Sequence, residues 1–134
     1  MKDLFIEETL STPAVHFKAD GKLSLEGRSI PERIETFYND LEEWISKLNA
    51  PIVVFNIKME YFNSASSKKI YDLLKQLEKN ESVRKITINW FYEEGDDDCL
   101  ESGEIFMDLL DRSEVYFYEY EEAEKPIFSA DCVA

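Results

Sequence analysis

Two stretches crowd reactive or charged groups together: Asn63-Ser64-Ala65-Ser66-Ser67-Lys68, and Glu93-Glu94-Gly95-Asp96-Asp97-Asp98 with Glu101 just beyond. A serine hydroxyl can attack a carbonyl if a base removes its proton, accept a phosphoryl group from a kinase, or cap a helix. Carboxylates can hold a hard cation, act in proton transfer, or simply face water at a helix entrance. The nucleophile reading finds no support. Ser64 has no Gly-x-Ser-x-Gly setting, and the only histidine, His16, lies between Val15 and Phe17 on an alternating stretch that turns it toward solvent. No Gly-rich phosphate loop with a following lysine occurs, and no dinucleotide fingerprint. Asp96, Asp97, Asp98 and Glu101 lack the spaced ligands of a calcium loop, and consecutive acids point in different directions. They suit a solvated helix entrance; a small metal-dependent enzyme using the acidic loop Glu93–Asp98 is the alternative.

The elements around these stretches bring them together. Ile52-Val53-Val54-Phe55-Asn56-Ile57 reads as a buried strand over 52–58, and Ile70, Leu73, Leu74 and Leu77 fall at helical spacing over 64–79. Val83 to Tyr92 reads as the next strand, with Ile86, Ile88 and Trp90 on one face. Strand, helix, strand at this spacing is a right-handed βαβ unit with parallel strands. The loop predicted at 60–66 and the loop at 93–98 therefore leave the sheet at the same carboxyl edge, the usual site edge of α/β sheets. Ser64 falls at the start of a helix, where unpaired N–H groups and the macrodipole favour an anion. Two readings stand at this point: Asn63 or Ser64 caps the helix and the other hydroxyls are incidental, or Ser64 carries a regulatory phosphate worth about −1.5 to −2 charges.

The rest of the chain supplies one domain. At 134 residues with 44% hydrophobic and 13% aromatic content it can build a packed core. A formal net charge of −14 argues against nonspecific nucleic-acid or anionic-membrane binding and leaves solubility, or a partner with a basic surface. Cys99 and Cys132 follow no metal or redox spacing and read as reduced thiols, the N-terminus is acidic where a signal peptide would be apolar, and a cytoplasmic location is expected. A hairpin is predicted with strands near 13–18 and 22–26, turning at Ala19-Asp20-Gly21-Lys22. Ser29-Ile30-Pro31-Glu32 reads as a helix start with Ser29 or Ile30 near the cap. Ile34, Phe37, Leu41, Trp44, Ile45 and Leu48 make the apolar stripe of a helix ending at Asn49. A further helix follows from Leu100 to Leu110, then a strand from Val115 to Tyr120, and a tail from Glu121 that is expected to dock or fray.

Taken in order, these motifs resemble a family. A strand ending in an Asn/Asp-Ser/Thr-Ser/Ala turn before a helix, here Asn63-Ser64-Ala65, resembles the STAS domains of anti-sigma-factor antagonists. The fuller set is similar to the SiaC family of bacterial regulatory phosphoproteins: Ser11-Thr12-Pro13-Ala14-Val15, Gly27-Arg28-Ser29-Ile30-Pro31-Glu32, Glu60-Tyr61-Phe62-Asn63-Ser64-Ala65-Ser66-Ser67-Lys68, Asn89-Trp90-Phe91-Tyr92-Glu93-Glu94-Gly95-Asp96-Asp97-Asp98 and Leu100-Glu101-Ser102-Gly103-Glu104. The resemblance implies a STAS-like mixed β-sheet with an N-terminal hairpin, a parallel βαβ unit and about three helices, with no catalytic activity and no cofactor. It implies phosphorylation of the hydroxyl after Asn63 by a dedicated protein kinase and reversal by a metal-dependent phosphatase. In the best-known member the unphosphorylated form binds and activates a diguanylate cyclase, raising cyclic-di-GMP. Three positions depart from the family pattern: Ser64 replaces the usual threonine and keeps a phosphorylatable oxygen, Ala65 removes a rival acceptor, and Arg33 stands where asparagine is usual.

The expectation is thus a signalling switch phosphorylated on Ser64. Tyr61, Asn63, Ser66, Ser67 and Lys68 would shape the turn or meet the partner. Glu93, Glu94, Asp96, Asp97, Asp98 and Glu101 would line the neighbouring edge. An interaction domain that is never phosphorylated is the other alternative.

Overall fold

The computed structural model describes residues 1–121. Its elements run β1 (Leu4–Ile6), β2 (Ala14–Phe17), β3 (Lys22–Ser29), α1 (Ile34–Ser46), β4 (Ile52–Phe62), α2 (Ser64–Lys79), β5 (Lys85–Glu93), α3 (Asp97–Leu109) and β6 (Ser113–Tyr120). The six strands lie side by side in sequence order. β1, β2 and β3 pair antiparallel, whereas β3, β4, β5 and β6 are parallel. Each parallel step is bridged by one helix, so the predicted βαβ unit is the middle of three consecutive ones.

Alternation along the strands builds the core. Leu23 and Leu25 of β3, Val53, Phe55, Ile57 and Met59 of β4, and Ile86, Ile88 and Trp90 of β5 are buried. Against them lie Tyr38, Leu41 and Ile45 of α1 and Ile70, Leu73, Leu74 and Leu77 of α2. The intervening strand residues are exposed or half-buried; there the Asn89 amide donates to Asn56 Oδ1 (2.8 Å), and Phe91 stacks on Tyr118 (5.1 Å).

Several expected boundaries shift. β1 carries no strand signal in the sequence: three residues are too few for a periodicity, and they are ordered by pairing Leu4, Phe5 and Ile6 with Phe17, His16 and Val15. β4 runs on through Glu60, Tyr61 and Phe62, so the expected loop at 60–66 shrinks to Asn63; pairing of Arg28 with Tyr61 and Ser29 with Phe62, past a bulge at Gly27/Arg28, overrides the local polarity. Ser29 consequently ends a strand and caps no helix. α1 begins at Ile34 behind Arg33, which makes no side-chain cap, and it ends at Ser46. α3 begins at Asp97, inside the expected acidic loop. The tail lies outside the described residues.

At the amino edge of the sheet one buried carboxylate ties the end of α2 to the start of β6 and the loop before it. The Glu78 side chain, 4% exposed, accepts the N–H groups of Asp111, Arg112 and Ser113, accepts the Ser113 hydroxyl at 2.8 Å, and pairs with Lys75. Arg112 donates in return to Glu78 O (2.9 Å) and Asn80 O (3.2 Å), closing the end of α2. Burial alone would raise the Glu78 carboxyl; the Asp111 and Arg112 N–H groups, the Ser113 hydroxyl and Lys75 outweigh it and hold the carboxyl below its usual range. A group lowered on folding adds stability above its unfolded value and loses it as pH falls through the folded one. Glu78→Gln should therefore cost about 1–2 kcal/mol at neutral pH. In chemical denaturation the gap to the parent should close as pH drops below about 4.

Candidate functional site

β4 delivers the chain to the carboxyl edge at Phe62, and a single residue, Asn63, turns it into α2. The Asn63 N–H donates to Ser29 O (3.2 Å), which fixes the turn to the end of β3. Asn63 is the N-cap: its extended backbone lets Oδ1 accept the Ser66 N–H (2.9 Å), while its carbonyl accepts the Ser67 N–H (2.9 Å). Capping is therefore carried by Asn63 and leaves the Ser64 hydroxyl free of that duty. Ser64 is exposed in the first helical turn, and its hydroxyl has no hydrogen-bond partner among the described residues.

The neighbouring hydroxyls are placed differently. Ser66 is fully buried, and its Oγ donates to Ser29 O (2.8 Å) while accepting from Ser29 Oγ (2.8 Å). Because Ser29 has spent its one proton on Ser66, Tyr38 OH must be the donor in the 2.6 Å bond between Tyr38 and Ser29. Ser66 thus shapes the turn from inside and offers no surface to a partner. Ser67 is half-buried, and Lys68 is exposed and pairs with Asp72 within α2 at 3.6 Å. Lys69, on the same helix, pairs with Glu35 of α1.

Across from Ser64, β5 ends at Glu93, Gly95 turns with a positive φ of 88°, and Asp96 caps α3 by accepting the Cys99 N–H (3.1 Å). Asp97 and Asp98 fall in the first turn of α3, where carboxylates complement the helix dipole. A cavity of about 330 Å³ separates the two helix starts, lined by Tyr61, Phe62, Asn63, Ser64, Asp96, Asp98, Cys99 and Ser102. The side-by-side arrangement expected from βαβ topology is thus present: Tyr61, Asn63 and Ser64 line one cavity with Asp96 and Asp98. Glu93, Glu94, Asp97 and Glu101 lie outside this lining, as do Ser66, Ser67 and Lys68. Glu94 is held by its N–H to Tyr120 O (2.7 Å).

Phe62, Cys99 and Ser102 complete the lining and escaped the sequence reading. Asp98 and Ser102 are four residues apart on one helix, so their common face was available as a signal. Phe62 meets Trp90 edge-on (6.2 Å), and the Trp90 indole N–H donates to Cys99 O (2.9 Å), fixing the wall. Burial, then the Asp96 charge, pushes the Cys99 thiol up to about 12, so it stays protonated and unreactive at neutral pH. Among the described residues no group of three or more His, Cys, Asp or Glu side chains is arranged to hold a metal ion. No helix among them is long and apolar enough to cross a membrane.

Comparison with known proteins identifies the fold's relatives. The family model for the SiaC family regulatory phosphoprotein matches residues 6–120. The chain belongs to the SiaC family. An uncharacterised Pseudomonas aeruginosa protein is 30% identical over 115 residues, covering 81% of this chain and 90% of that protein. The crystal structure of apo-SiaC from Pseudomonas aeruginosa superposes with a TM-score of 0.77 at 26% identity, covering 88% of this chain and 99% of SiaC. SiaC is also similar as seen in the crystal structure of the diguanylate cyclase SiaD with its activator SiaC from the same organism: TM-score 0.78, 25% identity, 88% of this chain and 100% of that one. The mixed six-stranded sheet with three helices is therefore the SiaC architecture.

Proposed function

We propose that this chain is a non-enzymatic switch, phosphorylated on Ser64 by a partner kinase and reset by a metal-dependent phosphatase, whose phosphorylation state controls binding to an effector. The observation that carries the reading is the division of labour in one helical turn. Asn63 caps, Ser66 is bound inside, and Ser64 is left exposed, its hydroxyl without a partner among the described residues. A phosphate there meets two opposing fields, the positive end of α2 and the carboxylates of Asp96 and Asp98 across the cavity. The surface changes sign-strength without any need to refold, which suits a protein read by partners. A diguanylate cyclase is the effector class proposed, because the related SiaC is the activator of SiaD.

The test is incubation with the cognate kinase and ATP, followed by intact-mass measurement and site mapping. One phosphate on Ser64 is expected, none on the Ser64→Ala variant, and loss of the group on adding the phosphatase. An active kinase that leaves Ser64 unmodified would overturn the proposal in favour of an interaction domain that works unphosphorylated.

A further inference from the structure

The buried hydroxyls of Tyr38, Ser29 and Ser66 form a chain with a single direction. Tyr38 OH donates to Ser29 Oγ (2.6 Å), Ser29 Oγ to Ser66 Oγ (2.8 Å), and Ser66 Oγ to Ser29 O (2.8 Å). Each hydroxyl has one proton, and each proton is used. All three residues are 0% exposed. Burying three hydroxyls is costly unless every one is satisfied, and once satisfied such a network fixes geometry more tightly than apolar packing does. Ser29 is the hub: its carbonyl also receives the Asn63 N–H, so the end of β3, α1, the turn and the first turn of α2 meet at one residue.

The geometry of the helix gives this chain a consequence at the surface. Ser64 and Ser66 are two residues apart, roughly 200° around the helix axis. Holding Ser66 inward therefore holds Ser64 outward, toward the cavity shared with Asp96 and Asp98. Rotation of the first turn would instead carry Ser67, half-buried as it stands, toward the surface.

We infer that Tyr38, Ser29 and Ser66 are positioning residues that set the rotation of α2's first turn and so make Ser64, and not Ser67, the phosphate acceptor. The inference rests on the phosphoswitch reading and adds what selects the acceptor. Tyr38 is an α1 residue remote in sequence from the turn, and Tyr38→Phe removes only one oxygen, which makes it the cleanest probe.

The experiment is site-mapped phosphorylation of the full chain, Tyr38→Phe and Ser66→Ala by the cognate kinase, alongside hydrogen exchange of the unphosphorylated proteins. In both variants the initial rate at Ser64 should fall about tenfold, with part of the phosphate appearing on Ser67. The amides of Ser66 and Ser67 should exchange about tenfold faster, while those of Leu73 and Leu74 keep their parent rates. Tyr71→Phe, at a tyrosine of α2 whose ring lies tilted against Phe106 and outside the hydroxyl chain, should leave rate and site unchanged. Folded variants with parental rate, Ser64 alone modified and unchanged exchange would overturn the inference, even if their melting temperatures fell. If the parent itself takes no phosphate the switch reading fails, and the exchange result separately decides whether the chain fixes the turn.

Discussion

Replacing Gly103 by alanine is expected to cost about 2–3 kcal/mol, although alanine is the better helix former by about 1 kcal/mol. A methyl group at position 103 would lie 2.6 Å from Trp90 Cδ1, 2.7 Å from Trp90 Nε1 and 2.8 Å from Phe117 Cε1. The indole has no room to yield. Trp90 is buried, meets Phe62 and Phe106 edge-on, and is tied by its indole N–H to Cys99 O. Relief has to come from α3 lifting off the sheet, which breaks that hydrogen bond, worth about 1 kcal/mol. A melting temperature lower by roughly 10 °C is expected. Because Asp96, Asp98, Cys99 and Ser102 ride on the start of α3, the cavity opposite Ser64 should widen too. Cys99 provides the readout: with Cys132 replaced by serine in both proteins, its thiol should react with a maleimide or disulfide reagent in Gly103→Ala and stay protected in the parent. A variant as stable and as protected as the parent would show that α3 is held by something other than this close approach.

The second large effect is electrostatic. Ser64→Asp is expected to weaken effector binding by at least roughly tenfold, about 1.4 kcal/mol, while Ser64→Ala stays near parental affinity. Alanine removes an oxygen that has no hydrogen-bond partner among the described residues, so little changes. A carboxylate adds charge beside Asp96 and Asp98, and the phosphate it imitates adds about twice as much. The penalty should shrink with added salt, since the Debye length falls from about 10 Å at 0.1 M to about 3 Å at 1 M. Calorimetry of the two variants against the effector at two salt concentrations tests both parts. Equal affinities for Ser64→Asp and Ser64→Ala would remove charge as the signal.

Residue type alone revealed the parts of this architecture that depend on local order. The start of α2 was legible because Asn63 is a strong cap and Ile70, Leu73, Leu74 and Leu77 follow at helical spacing. The meeting of Ser64 with Asp96 and Asp98 followed from βαβ topology, without knowledge of either side chain's conformation. What stayed hidden depends on pairing between distant segments. Ser29-Ile30-Pro31-Glu32 carries the signs of a helix start, but opposite Phe62 Ser29 is more useful as the end of a strand. The same pairing stretches β4 through Glu60 and Tyr61. Tyr38 stands outside the expected stripe of Ile34, Phe37, Leu41, Trp44, Ile45 and Leu48 yet is buried, and nothing in a helical pattern shows that its hydroxyl meets Ser29.

Strand order along the sheet matches order along the chain, and this bears on how the molecule comes into being. Each new strand pairs with the one made just before it, joined by a turn or one crossover helix. Loop closure is therefore short-range throughout, and growth by successive addition from the amino end is favoured, including on the ribosome. Ser64 emerges midway, yet α3, which supplies the opposite wall of its cavity, is made later. A chain still being synthesised carries the Ser64 hydroxyl before it carries the surroundings that would distinguish it. Recognition of that complete site is thereby reserved for finished molecules.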